Sequence, residues 1–427
     1  MSKLVIRNGR VIDPAQDLDR FCDVAIKDGI VREIGSEISS VGSEEFDASG
    51  LIVAPGFVDM HVHLREPGFE HAETIETGSR AAAAGGFTSI CCMPNTQPVN
   101  DNATVTSYIR DRARRFAIVN VYPIGAITKN SSGEELSAIA SMKQAGIVAI
   151  SDDGRPVMNA RLVRRAMEFA RVLDLPLIEH CEDLHLSAGG DMHEGVTSTR
   201  LGLRGIPGCS EDVMVARDIL LAEVTECRYH VAHISSRNSV EMVAFAKKRG
   251  VRVTAEATPH HFALSDCDVP PYDSNYKMKP PIRERSDMDA VTEGLANGAI
   301  DAIATDHAPH PGAEKMQEFE RCPFGIIGLE TAIGLALERL YHPGRVSLSN
   351  LIRLFTLNPA GIVSLDRGTL RPGAPADVTI FGLDHDWTYD VTNSPSKSRN
   401  TPFHGHEFRG GPVATIVAGQ IVWRLNN

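Results

Sequence analysis

The chain has 427 residues, with 43 Lys+Arg against 55 Asp+Glu for a formal net charge of −12, and is 42% hydrophobic and 23% charged. That mix belongs to a globular protein rather than a disordered one, and a chain this long buries about three quarters of its unfolded surface without staples. The acidic balance argues against nucleic acid or an anionic membrane as the main partner. No run of 18 apolar residues occurs, and Met1-Ser2-Lys3-Leu4-Val5-Ile6 lacks an apolar signal core, so a cytoplasmic location is expected.

The first 55 residues read as short β runs. Leu4-Val5-Ile6, Arg10-Val11-Ile12, Asp23-Val24-Ala25-Ile26 and Ile30-Val31-Arg32-Glu33-Ile34 are separated by Asn8-Gly9, Asp13-Pro14 and Asp28-Gly29, which are turn chemistry. A rhythm follows: short apolar runs open near residues 57, 87, 118, 147, 176, 229, 251 and 301. Between them lie segments of helical spacing such as 74–84, 160–173 and 240–249. Ser210 followed by Glu211-Asp212 predicts an N-cap with an acidic first turn, and Gly85-Gly86, Gly146 and Gly250 predict helix C-caps.

Eight strands alternating with helices predict an α/β protein with a (β/α)8 TIM barrel. A doubly wound sheet is the competing topology, but no G-x-G-x-x-G or G-x-x-x-x-G-K-[ST] anchors a nucleotide. The last 60 residues return to β runs, at Asp377-Val378-Thr379-Ile380-Phe381, Val413-Ala414-Thr415-Ile416-Val417 and Gln420-Ile421-Val422-Trp423. The expected organisation is a small β-sandwich domain built from both termini, 1–55 plus 365–427, around a catalytic barrel at 56–364. Two unrelated edge extensions are the alternative. The eight cysteines form no C-x-x-C pair and read as reduced, mostly buried thiols.

His61-Val62-His63 closes the first barrel strand, and side chains at i and i+2 share a face about 7 Å apart, which suits two imidazoles on one metal. With 16 histidines, such a pair alone is weak; its company strengthens it. Asp152-Asp153 ends strand four, His180 strand five, His233 strand six, and Asp306-His307 strand eight. All fall at the C-terminal mouth, where barrel enzymes keep their chemistry. Each alone could be a hydrogen-bonded strand terminus; the set reads as a metal site.

Four imidazoles and two carboxylates exceed one tetrahedral zinc and suffice for two divalent ions sharing a carboxylate and a water. Two such ions bring the water's pKa towards neutrality, and a carboxylate touching it can take its proton and pass it to a leaving nitrogen. The residues alone therefore predict a metal-dependent hydrolase of an unreactive bond such as an amide. Arg65 offers a planar fork for a substrate carboxylate, or else a salt bridge to Glu66 or Glu73. Asn95, in Pro94-Asn95-Thr96, supplies an amide or forms a turn. His260-His261 read as packing groups or supports behind the ligands. The polar segment 307–322, with His310 near its start, has the length of an active-site lid.

Several of these stretches resemble dihydroorotases of the amidohydrolase superfamily, in the bacterial branch with an aspartate at the end of strand four. They are His61-Val62-His63-Leu64-Arg65-Glu66-Pro67-Gly68, Met93-Pro94-Asn95-Thr96, Ala257-Thr258-Pro259-His260-His261, Thr305-Asp306-His307-Ala308-Pro309-His310, Pro323-Phe324-Gly325-Ile326-Ile327-Gly328-Leu329-Glu330-Thr331 and Ser396-Lys397-Ser398-Arg399-Asn400-Thr401-Pro402-Phe403. The resemblance implies two zinc ions, one on His61, His63 and Asp306, the other on His180 and His233, with Asp153 as bridge and Asp152 as its rival. Related branches use a carbamylated lysine there; Lys129 is the nearest alternative.

The implied reaction interconverts L-dihydroorotate and N-carbamoyl-L-aspartate, the third step of pyrimidine synthesis, with Asp306 carrying the proton. Arg65, Asn95 and His310 would hold the substrate carboxylate, and His63 and the Phe324-Gly325 backbone would also touch substrate. Lys279 stands where many members carry a substrate-contacting Asn, a departure from that branch's pattern. A hydantoinase or allantoinase is the rival enzyme, though Arg65 suits a carboxylate that their substrates lack. A non-catalytic scaffold for aspartate carbamoyltransferase is the rival from another class; that transferase is the candidate partner, and a homo-oligomer is expected.

Overall fold

In the computed structural model, which describes residues 3–425, the strand Lys3–Asp13 runs unbroken through Asn8-Gly9. The predicted turn is a bulge instead: Asn8 has φ 60°, and the register against Leu18–Lys27 slips between Ile6 and Gly9. A Cβ on Gly9 would lie 2.5 Å from Val53 Cγ2, so the neighbouring strand admits only glycine there. Asp28-Gly29, both at positive φ, does form the predicted hairpin turn.

Ile52–Pro55 pairs in parallel with Lys3–Asp13 and antiparallel with Val378–Thr388. The same sheet continues through Glu407–Val417 and Gln420–Arg424. Strands from both ends of the chain therefore share one eight-stranded sheet. It wraps its own core, which includes Ile6, Val24, Val53, Ile380 and Ile416.

Between these ends, Phe57–Val62, Phe87–Cys92 and Asn120–Pro123 form one parallel set. Leu177–Glu179, Tyr229–Val231, Val253–Ala257 and Ala302–Ile303 form another. The fourth predicted strand, at 147–150, is irregular, but Ile150 bridges Gly125 on one side and Leu177 on the other. Val62 pairs with His307 and closes the ring, so the parallel segments form a barrel, not a doubly wound sheet with two open edges.

The helices cover the barrel as their periodicity predicts. Ile75–Ala84 is capped reciprocally by Thr74 and Thr77, and Ala160–Val172 by Asn159. Cys209–Thr225 begins earlier than predicted: Gly208 is the N-cap, and the Ser210 hydroxyl donates to Pro207 O at 2.8 Å. Six of the eight cysteines are buried and all are free thiols. Among the described residues no helix is long and apolar enough to cross a membrane.

Where the C-terminal segment returns to the barrel, the Tyr389 hydroxyl (3.3 Å) and the Ser394 hydroxyl donate to Glu330 Oε2. Burial pushes this carboxyl up to about 7 from an ordinary 4.5. A carboxyl raised in the folded state binds its proton more tightly there, so stability falls as pH rises from about 4.5 to about 7 and is level above. Glu330→Gln keeps an acceptor without the charge. It is expected to unfold later in denaturant than wild type at pH 8, by roughly 2 kcal/mol, with the gap closing at pH 4.

Candidate metal centre

His61 lies in the first barrel strand and His63 directly after it, with ring centroids 5.5 Å apart. Asp153 follows the irregular fourth strand, and His180, His233 and Asp306 follow strands five, six and eight. All six are buried. Donor atoms of His61, His63 and Asp153 lie within 4.8 Å of one another, as do those of Asp153, His180 and His233, and those of His61, His233 and Asp306.

Asp153 belongs to both halves. Its Oδ1 is 3.4 Å from His61 Nε2, 3.7 Å from His180 Nδ1 and 3.5 Å from His233 Nε2, while Oδ2 is 3.4 Å from His63 Nε2. Asp152 points away: it accepts from Ile127 N at 2.8 Å, from Thr128 N at 3.1 Å and from the Thr128 hydroxyl. Burial lifts its carboxyl to about 6. Lys129 is exposed and pairs with Glu135 at 2.8 Å, outside the cluster. Neither residue can take the place of Asp153.

The backbone leaves the strand direction where donors must turn inward, with φ 31° at His233 and 46° at Asp306. Asp306 is anchored from both sides. The Thr305 hydroxyl donates to Asp59 Oδ2 at 2.6 Å, and the His307 ring lies 3.3 Å from Glu73. Asp306 Oδ1 then stands 2.9 Å from His63 Nε2.

Two carboxylates that no sequence motif singles out stand behind the imidazoles. Glu256 Oε1 is 2.6 Å from His61 Nδ1, and its Oε2 is 3.2 Å from His230. Glu182 Oε2 is 2.9 Å from His180 Nε2. Such partners fix tautomer and ring orientation. The signal for Glu256 was a lone acid inside the apolar run Val253–Ala257. Burial opposes the Glu256 charge, but His61 and His230 hold its carboxyl down to about 2. Burial likewise disfavours charge on Asp153 and Asp306, yet His61 and His63 keep both well below the usual carboxylate range. Both are ionised at neutral pH.

His61 Nε2 and Asp153 Oδ1 are buried, face each other and make no hydrogen bond. Buried polar atoms left this way are costly unless a water or a cation takes them up. Imidazole nitrogen and carboxylate oxygen are also the donors that borderline divalent ions prefer. The residues fit a metal.

A cavity of about 400 Å³ opens over the cluster, its wall including Arg65, Asn95, Lys279, His310, Phe324 and Gly325. Arg65 makes no ion pair with any described residue; Nε donates to Pro309 O at 3.1 Å and an amino group lies 3.3 Å from His310 Nε2. Its alternative partners are engaged elsewhere, Glu66 with Arg112 at 2.6 Å and Glu73 with His307. Asn95 Oδ1 is 2.9 Å from His63 Nδ1, so its carbonyl orients that ring. His310 lies 2.8 Å from Phe324 O and holds the loop, and burial beside Arg65 drives its ring down to about 3, so it stays neutral.

Two lysines tie the segment after strand eight to its surroundings. Lys277 Nζ donates to Phe319 O at 2.5 Å, and Lys315 Nζ to Pro323 O at 3.0 Å and Gly325 O at 3.2 Å. Gly325 has φ 129°, and a Cβ there would meet the Ala308 methyl at 2.8 Å. His260 and His261 are buried beside the cluster; His261 is tied to Thr258 Oγ1 (2.7 Å) and Pro280 O (3.0 Å).

Residues 50–239 match the family described as dihydro-orotase-like, and residues 255–423 the amidohydrolase family. The chain is 68% identical to a dihydroorotase of Solibacter usitatus, and 54% identical to one of Pelotomaculum thermopropionicum, over 98% of both chains in each case. Among solved structures it is similar to the L-hydantoinase (dihydropyrimidinase) of Arthrobacter aurescens. The TM-score is 0.89 at 26% identity, over 100% of this chain and 97% of that one. Identity this high over nearly the whole length, carried by a barrel rim with six converging donors, makes this chain a member of the dihydroorotase family.

Proposed function

We propose that the chain interconverts L-dihydroorotate and N-carbamoyl-L-aspartate with two zinc ions, which His61, His63 and Asp306 on one side and His180 and His233 on the other would hold, with Asp153 shared between them. The observation that carries this reading is Asp153 between two histidine sets, below a cavity whose Arg65 has no ion-pair partner among the described residues. When bound, divalent ions acidify a shared water and polarise a carbonyl.

The chain's own groups do the rest. Asp306, ionised and anchored through Thr305 and His307, takes the proton released by water as the ring amide C–N bond opens. It returns that proton to the departing nitrogen; in the reverse direction the same carboxylate removes it. Arg65 receives the substrate carboxylate as a planar fork. Asn95 presents its amide NH2 while its carbonyl steadies His63. His310 holds Phe324, and the backbone of Phe324 and Gly325 borders the ring.

A cyclic-ureide hydrolase of hydantoinase type is the second reading, supported by the likeness to the Arthrobacter aurescens enzyme. Arg65 argues against it, since its charge has no use without a substrate carboxylate. Purified protein is expected to hydrolyse dihydroorotate faster than hydantoin or allantoin, and to lose activity on chelation and regain it with zinc. The reverse ranking, or full activity in metal-free protein, rejects the assignment. A protein without stoichiometric metal would instead support the transferase scaffold.

The division into 1–55 plus 365–427 and 56–364 is part of the same proposal, supported by the single sheet shared by both termini. So is homo-oligomerisation, supported by exposed Phe169, Val172, Leu220, Val224 and Phe245 on three helices packed side by side. Sedimentation alone and with aspartate carbamoyltransferase reads whether the chain self-associates and whether it binds the transferase.

A further inference from the structure

We infer that Lys279 is a positioning residue for the metal held by His180, acting through Glu182, and not a hold on the substrate. The inference rests on the reading that His180 and His233 carry a metal. Lys279 Nζ is 2.7 Å from Glu182 Oε1, and Glu182 Oε2 is 2.9 Å from His180 Nε2. His180 thus meets the cluster through Nδ1, 3.7 Å from Asp153, and is gripped from behind at Nε2.

A carboxylate behind an imidazole fixes the tautomer and raises ligand basicity. Buried, it is costly unless neutralised. Glu182 is buried and Lys279 supplies the compensating charge. The other half of the centre is built differently, since Glu256 behind His61 turns its second oxygen to His230. The Lys279 ammonium also sits 4.8 Å from the Phe324 ring centroid, so both its charge and its direction are committed. Of the two cations on the cavity wall, Arg65 is the one without an ion pair among the described residues. The substrate carboxylate therefore falls to Arg65, and Lys279, in place of the family's Asn, serves the ligand behind it.

The test compares wild type with Lys279→Met, Lys279→Gln and Lys279→Arg, counting zinc per chain during a timed chelator challenge and measuring kcat and KM. The side chain is 27% exposed, so its truncation leaves no buried void. Lys279→Met and Lys279→Gln are expected to lose metal about tenfold faster, with Lys279→Arg restoring retention. In the neutral variants kcat falls with metal content and recovers on zinc addition, while KM moves less than about threefold. Unchanged metal retention with a KM raised tenfold or more makes Lys279 a substrate contact and overturns the inference alone. A wild type that holds no metal overturns the reading beneath it as well.

Discussion

Asp306→Asn is expected to lower kcat by roughly three orders of magnitude or more while leaving the fold intact. The backbone there has φ 46°, a region that Asn tolerates nearly as well as Asp, so the substitution adds little strain. The neighbouring anchors, Thr305 on Asp59 and His307 on Glu73, involve no Asp306 atom and keep the loop in place. What disappears is a carboxylate that the imidazoles of His61 and His63 hold ionised against its own burial. Without it nothing equally placed takes a proton from water and returns it to the departing nitrogen. Circular dichroism should match wild type, and a variant retaining a tenth of wild-type turnover would remove Asp306 from the proton path.

Arg65→Met should cut kcat/KM for dihydroorotate by about a hundredfold or more, the scale of a lost charge-assisted contact in a shielded site. Metal content should not change, because no Arg65 hydrogen bond reaches the cluster; its contacts are Pro309 O and His310. The loss should be much smaller with a neutral cyclic ureide, which has no carboxylate to forfeit. Equal losses on both substrates would mean that Arg65 only buttresses the loop through Pro309. This pattern is the mirror image of that expected for Lys279, so the two cavity cations can be told apart.

How much of this was legible before folding can be judged residue by residue. The barrel followed from the alternation of apolar runs and helical spacing, since both periods are imposed locally by backbone geometry. The donors were legible because each ends a strand, and strand ends of a parallel barrel share one rim. The turn predicted at Asn8-Gly9 failed because the same dipeptide serves a bulge as well as a hairpin; proximity of Val53, over 40 residues away, decided between them. The apolar run at 147–150 marks the place of the fourth strand but not its irregularity, as pairing depends on Gly125 and Leu177 from neighbouring segments.

The choice between Asp152 and Asp153 shows the limit most clearly. Adjacent residues of the same type in one extended segment point to opposite faces, and spacing cannot say which face looks inward. Only the neighbouring Ile127-Thr128 backbone, which captures Asp152, leaves Asp153 to face the imidazoles. The sequence by itself determined the architecture, the donor types and the rim that carries them, because those follow from local periodicity and from strand direction. The tertiary structure alone decided which carboxylate stands between the two histidine sets, which acids brace them from behind, and which cavity cation makes no ion pair among the described residues. Each of these depends on distances between segments remote along the chain, which no local pattern encodes.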